Sequence, residues 1–242
     1  MIIEKYLDFA LDKVKAVREK EVAHIEEAVQ LIVDSIHKGG RFYVFGSGHS
    51  HMIAEEIYIR AGGLAYVKAI LPEELMLHQM PNKSTYLERI EGYAACILNL
   101  YKVDSHDTLM VVSNSGRNAV PVEMCLEAKK RGTNVIALTS MEHAGQVTSR
   151  HSSGKKMCDI ADVVIDNCAQ KGDAAFYVDN FDIPTGPTSD LTGIAIAQSL
   201  IVGVIDTLVK EGIKPPVFKS SNIDGADEYN DELFDKYYGY WK

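Results

Sequence analysis

The chain has 242 residues, 46% of them hydrophobic and 24% charged, and a formal net charge of −9. That is enough chain to bury a full core as one large α/β domain, and the composition is ordinary for a globular protein. An acidic chain without a Lys/Arg cluster argues against nucleic acid as a partner. The longest uncharged apolar run, Leu191 to Ile205, falls short of the roughly 20 residues that span a bilayer, so no membrane partner is expected. Cys96, Cys125, Cys158 and Cys168 form no CxxC pair and read as reduced thiols of a reducing compartment. The N-terminus shows no secretory apolar stretch, so the expected location is cytoplasmic.

Residues 2–38 carry apolar positions at helical spacing (Ile3, Leu7, Leu11, Val14, then Ile25, Val29, Ile32, Ile36). They predict a helical arm, either bent or split near Arg18-Glu19-Lys20-Glu21. Arg41 to Phe45 is a first strand, running into Gly46-Ser47-Gly48-His49-Ser50, and a helix follows to about Gly62. Leu64 to Ile70 is a second strand, residues 71–83 are irregular, and two short helices are expected between Ser84 and Tyr101. Thr108 to Val112 is a third strand and Ala119 to Arg131 a helix. Val135 to Thr139 is a fourth strand, and Ile160 to Ile165 holds a fifth. Residues 140–156 are polar, 167–187 read as a long loop, and Thr188 to Glu211 is a long apolar helix broken by Pro215-Pro216. The tail is rich in aromatics (Tyr229, Tyr237, Tyr238, Tyr240, Trp241) and is expected to pack on the core or on a partner subunit. Ser220, Asn222, Asp224, Gly225 and Asp231 fit part of a calcium-loop spacing but lack its closing Glu, so they read as a turn.

Strands alternating with helices predict an α/β fold with a mostly parallel sheet covered on both faces, for which the order 2-1-3-4-5 is expected. The expected layout is a single domain: arm 1–38, core 39–212, tail 213–242. In that order the turns after strands 1 and 3 face each other across the crevice where ligands bind. The first turn lacks the third glycine of a dinucleotide fingerprint, and no acidic residue ends strand 2, so NAD is disfavoured. The second, Ser113-Asn114-Ser115-Gly116-Arg117-Asn118, offers short polar groups and a glycine at a helix start. A plain helix cap needs only one such residue. Several make a cup for an anion, most simply a phosphate.

Gly46-Ser-Gly-His-Ser50, Ser113-Asn-Ser-Gly-Arg-Asn118 and Leu138-Thr139-Ser140 together resemble the sugar isomerase (SIS) domain over residues 30–211. The resemblance implies a three-layer αβα sandwich on a five-stranded parallel sheet and phosphosugar binding by dimers or tetramers, with phosphate on Ser113, Asn114, Ser115 and Asn118. The chain is most similar to a branch of SIS proteins close to phosphoheptose isomerases and to etherases acting on N-acetylmuramic acid 6-phosphate. Catalytic residues do not carry over. Where phosphoheptose isomerases have a His six residues after the motif Ser and a Glu ten after it, this chain has Glu56 and Arg60. Their second His, on the last core helix, has no counterpart between Thr188 and Glu211.

The function expected is therefore a phosphosugar-binding protein, an aldose–ketose isomerase of the phosphoheptose type. An amino-sugar-phosphate etherase and a non-catalytic phosphosugar sensor are the alternatives. Proton transfer between adjacent carbons needs a base and an acid, for which Glu56, Glu55, His51 and His78 are the candidates. For Glu56 the plain alternative is an i,i+4 pair with Arg60. His143 and His151 read as ordinary loop histidines. Ser47, Ser50, Thr139 and Ser189 join the phosphate-loop residues as substrate contacts. No cofactor is required. A divalent metal on His51, Glu55 and His78 stays open but has no local ligand spacing behind it.

Overall fold

A computed structural model describes residues 1–239. Five short apolar strands form its centre: β1 (Phe42–Gly46), β2 (Val67–Ile70), β3 (Thr108–Val112), β4 (Asn134–Thr139) and β5 (Val163–Asp166). Every neighbouring pair is parallel, in the expected order β2-β1-β3-β4-β5. β1 and β3 are buried at every residue, as strands covered on both faces must be. Successive side chains point to opposite faces. Phe42 and Val44 thus enter one apolar cluster, and Tyr43 and Phe45 the other.

The arm is two helices, α1 (Ile2–Lys20) and α2 (Val22–His37), parting at the charged run. α3 (His51–Ile57) follows β1, and α4 (Lys83–Leu87) and α5 (Ala94–Leu100) lie between β2 and β3. α6 (Ala119–Lys130) follows β3, and α7 (Met141–Gly145) is a single short turn after β4. α8 (Ser189–Lys210) is the long apolar helix. α2, α3 and α8 cover one face of the sheet through Ile32, Ile53 and Leu200, and α5 and α6 cover the other through Ile97 and Met124. α8 is long and apolar enough by composition to cross a membrane. Its row Thr192, Ile196, Leu200, Val204 and Leu208 is instead buried against the core.

Four segments depart from the expectations. The loop 167–187 contains a hairpin, β6 (Ala174–Phe176) with β7 (Thr185–Pro187). Phe176 seats it on Tyr6 and Phe9 of α1, each ring 5.5 Å away. The helix after the first turn stops at Ile57 because Tyr58 is extended and its ring meets Tyr238 at 5.9 Å. The polar stretch after β4 holds α7, whose N-cap Ser140 accepts a hydrogen bond from the His143 N–H at 3.1 Å. The tail forms α9 (Ala226–Tyr237). Leu233 of α9 joins Ala65 and Phe218 in a small third cluster. Asp231 of the partial calcium spacing lies inside this helix. Tyr240 and Trp241 lie outside the described residues.

Burial along α8 separates two substitutions. Leu200→Ala, at a site with no exposure, is expected to destabilise by about 2–5 kcal/mol. Val202→Ala, 64% exposed, should stay within about 0.5 kcal/mol. Urea unfolding of both variants checks the assignment.

Candidate functional site

The chain leaves β1 toward β2 on one side and returns to β3 on the other, so the direction of winding reverses between β1 and β3. Gly46 and Val112 end those strands side by side, and both turns open at the carboxyl edge of the sheet. In such folds ligands bind at that reversal. A cavity of about 380 Å³ sits there, with Ser47 and Ser50 on one wall and Ser113, Asn114, Ser115 and Asn118 on the other. Residues remote in sequence therefore share one space.

Two glycines make the turns feasible. A Cβ on Gly46 would lie 2.3 Å from the Ser50 carbonyl oxygen, so only glycine lets the chain fold back so tightly. Gly116 adopts φ +60°, and a Cβ there would meet Thr139 Oγ1 at 3.0 Å. Ser113 Oγ accepts from the Gly116 N–H at 3.3 Å. Thr139 Oγ1 and the Ser140 N–H both donate to the Asn114 carbonyl. Thr139 thus holds the loop from behind and does not line the cavity. α6 begins at Ala119 and aims its positive end at this turn. Among the described residues, the hydroxyls of Ser50 and Ser115 have no protein partner, and the Ser115 and Arg117 N–H groups have no protein acceptor.

A third wall comes from the segment after β2, with Leu77, Asn82, Ser84, Thr85 and Glu88. Glu88 is the acid of the cavity, and sequence reasoning missed it. Its Oε2 accepts from Ser47 Oγ at 2.6 Å and its Oε1 from Asn118 Nδ2 at 2.6 Å. Its own carbonyl accepts from the Val120 N–H at 2.9 Å, which pins it to α6. Burial pushes the Glu88 carboxyl above the ordinary carboxylate range, against the pull of the Ser47 hydrogen bond and the Arg89 and Arg150 charges. Arg150 donates to Asn118 Oδ1 at 2.9 Å and feels both Arg117 and Arg89. Arg117 Nε is buried without a partner. The charges of Arg89, Arg117 and Arg150 thus act close to the cavity, although none of the three lines it.

His143, read from sequence as an ordinary loop residue, also lines the cavity. Its Nδ1 is buried and unpartnered. Burial and the Arg117 and Lys171 charges push its pKa down, which favours the neutral ring.

The remaining candidates lie elsewhere. Glu56 does not line the cavity. It takes the Arg60 guanidinium and Gln198 Nε2, the latter at 3.1 Å, so the i,i+4 pair is formed. Ser189 Oγ donates to Asp173 Oδ2 at 2.8 Å, away from the cavity. His51, Glu55 and His78 form a group of their own. His51 Nε2 is 3.5 Å from Glu55 Oε1, and the His51 and His78 rings are 5.1 Å apart. Beside them burial raises the Asp190 carboxyl, chiefly against the pull of a charged His49.

A carboxyl whose pKa rises on folding binds more protons in the folded state than in the unfolded one. Its ionised form therefore weighs against folding as pH climbs through and above the usual carboxylate range. Glu88→Gln keeps an acceptor for Asn118 and offers Ser47 an amide, while removing that charge. The variant should melt higher than wild type at pH 7, and the gap should close toward pH 4. Parallel melting curves across that range test the sign.

The SIS domain family profile matches residues 5–140. A UPF0309 protein of Halalkalibacterium halodurans is 56% identical over 233 residues, covering 96% of this chain and 95% of that protein. Among solved structures, phosphoheptose isomerase GmhA from Neisseria gonorrhoeae superposes with a TM-score of 0.56 at 15% identity, covering 84% of this chain and 97% of that one. The Vibrio vulnificus NanR protein complexed with ManNAc-6P gives a TM-score of 0.52 at 14% identity, covering 98% and 67%. At such identities the two structures establish a shared fold.

Proposed function

The chain belongs to the SIS domain family, and from that premise we propose that it binds a phosphosugar in the β1–β3 cavity and interconverts its aldose and ketose forms. The observation that carries this reading is Glu88, a carboxylate set between two hydroxyl-bearing turns in one cavity. The phosphate sits on the Ser113–Asn118 turn, met by Ser115, by the N-terminus of α6 and by the local arginine charge. Glu88 takes the base role for which Glu56 and Glu55 were the expected candidates. It removes the proton from the carbon beside the carbonyl, leaving an enediol, and returns it to the neighbouring carbon. A raised pKa suits both halves of that exchange. His143, as a neutral imidazole, moves the hydroxyl proton between the two sugar oxygens.

A second reading, phosphosugar binding without turnover, is favoured by the lack of any His on α8. NanR, complexed with ManNAc-6P, shares the fold.

One experiment separates these readings. Phosphorylated sugars are screened by thermal shift and then incubated with the protein in D₂O. A ligand at a hundredfold excess over Kd stabilises by about 2.7 kcal/mol. Ser115→Ala should lose that shift. Glu88→Gln should keep it while slowing deuterium uptake at the carbon beside the carbonyl by roughly 10²–10⁴-fold. A shift without deuterium uptake selects the sensor, and lactate release from an amino sugar phosphate selects the etherase. No shift with any phosphosugar removes the proposal.

A further inference from the structure

His51 is 2% exposed, and its Nδ1 lies within hydrogen-bond reach of the Gly48 carbonyl. A carbonyl only accepts, so Nδ1 carries a proton. In the neutral ring Nε2 is then a bare lone pair. It is buried, has no hydrogen-bond partner among the described residues, and faces the carboxylate oxygen of Glu55 at 3.5 Å. Two acceptors turned toward each other repel unless a proton or a metal cation lies between them. His78 closes the group. One ligand atom from each of His51, Glu55 and His78 lies within 4.8 Å of the other two.

A cluster of the same residue types shows the opposite proton arrangement. Glu91, Glu123 and His151 also gather within 4.8 Å. There the Ser153 N–H donates to His151 Nδ1 at 3.1 Å, so Nδ1 is the acceptor and Nε2 carries the proton. That N–H points at Glu123 and Glu91, 3.5 and 3.8 Å away. Both carboxylates also take backbone N–H groups, from Gly92 and Ser152. The carboxylates of this second cluster thus have other partners, whereas His51 Nε2 is buried without a hydrogen bond.

We propose that His51, Glu55 and His78 bind a divalent metal ion of the zinc class. Two imidazoles and one carboxylate are a zinc donor set that leaves a fourth position open. His51 and Glu55 are four residues apart on α3 and share one face of it. The Gly48 carbonyl is the outer partner that fixes the tautomer and orients the ring. Zinc bonds of about 2.0–2.1 Å put tetrahedral ligands roughly 3.4 Å apart. Glu55 and His78 are exposed, so side-chain rotation closes the remaining distance. Ser50 and Leu77, the chain neighbours of His51 and His78, line the cavity. The group thus adjoins the proposed sugar site along the chain without lining it, and a sugar hydroxyl or carbonyl oxygen would complete the coordination. That last point rests on the proposed function, and metal binding itself does not.

The test uses the full chain, stripped by chelator and titrated with Co²⁺ and with Zn²⁺ in the absence of sugar. The expected result is a single tight ion per chain, with visible Co²⁺ absorption of a low-coordinate nitrogen/oxygen site that Zn²⁺ displaces. Losing an outer-shell partner typically weakens metal binding by roughly 10–100-fold, and losing a ligand does no less. Glu55→Gln and His78→Gln, both at exposed positions, should therefore each weaken binding by more than about tenfold, while Glu123→Gln leaves it unchanged. No stoichiometric binding, binding undiminished in both variants, or binding lost in Glu123→Gln would each overturn the proposal. The phosphosugar thermal shift, run on chelated protein, fails or succeeds separately.

Discussion

The carboxylate of Glu88 receives one hydrogen bond from each wall of the cavity, Ser47 on the β1 turn and Asn118 at the head of α6. The β1–β3 ladder brings the two turns together, and this contact sets how their side chains stand. It places a half-buried carboxylate beside the proposed phosphate turn, where the Arg89 and Arg150 charges pull its pKa down against burial. Such opposed charges in a cleft mark functional sites more often than structural ones. They also show how a chain of net charge −9 can bring positive charge close to one cavity. Binding is governed by the near field, which the total does not describe.

Much of the frame was legible in the sequence. Parallel strands covered on both faces must be apolar runs, and four of the five here run into a glycine, serine or asparagine while β2 runs into Leu71-Pro72, so their existence follows from pattern. The two phosphate-type turns were legible for the same reason. Glu88 was not. Its partners lie 41 and 30 residues away in the chain, and a charged residue in a short helical stretch looks like any solvated face. Glu56 shows the converse, since proximity to a motif in sequence put forward a side chain that the helix turns toward Arg60. The β6–β7 hairpin is too short for alternation to show and exists through Phe176 packing on α1. His143 could be placed only once α7 was known to return it to the strand ends.

The tail illustrates how a weak local signal is resolved by tertiary contact. Its aromatics announced packing, but α9 is polar enough along its length to be taken for loop. What fixes it is the ground it lands on. Phe218 bonds backbone to backbone with Gly62 and Gly63, and the Ala65 N–H donates to the Pro216 carbonyl. Lys68 Nζ donates to the Tyr237 carbonyl at 2.7 Å and lies 3.0 Å from the centre of the Tyr238 ring. Burial brings the Lys68 ammonium down to about 7, while its place over the ring favours the charge.

β2 is the margin of the sheet, and these late contacts run along it: Val217 bridges to Leu64, and the Tyr238 hydroxyl donates to the Val67 carbonyl at 2.9 Å. An open margin invites pairing with another chain. Residues 217–238 leave the ribosome after every strand of the sheet, so this border is the last to receive its cover.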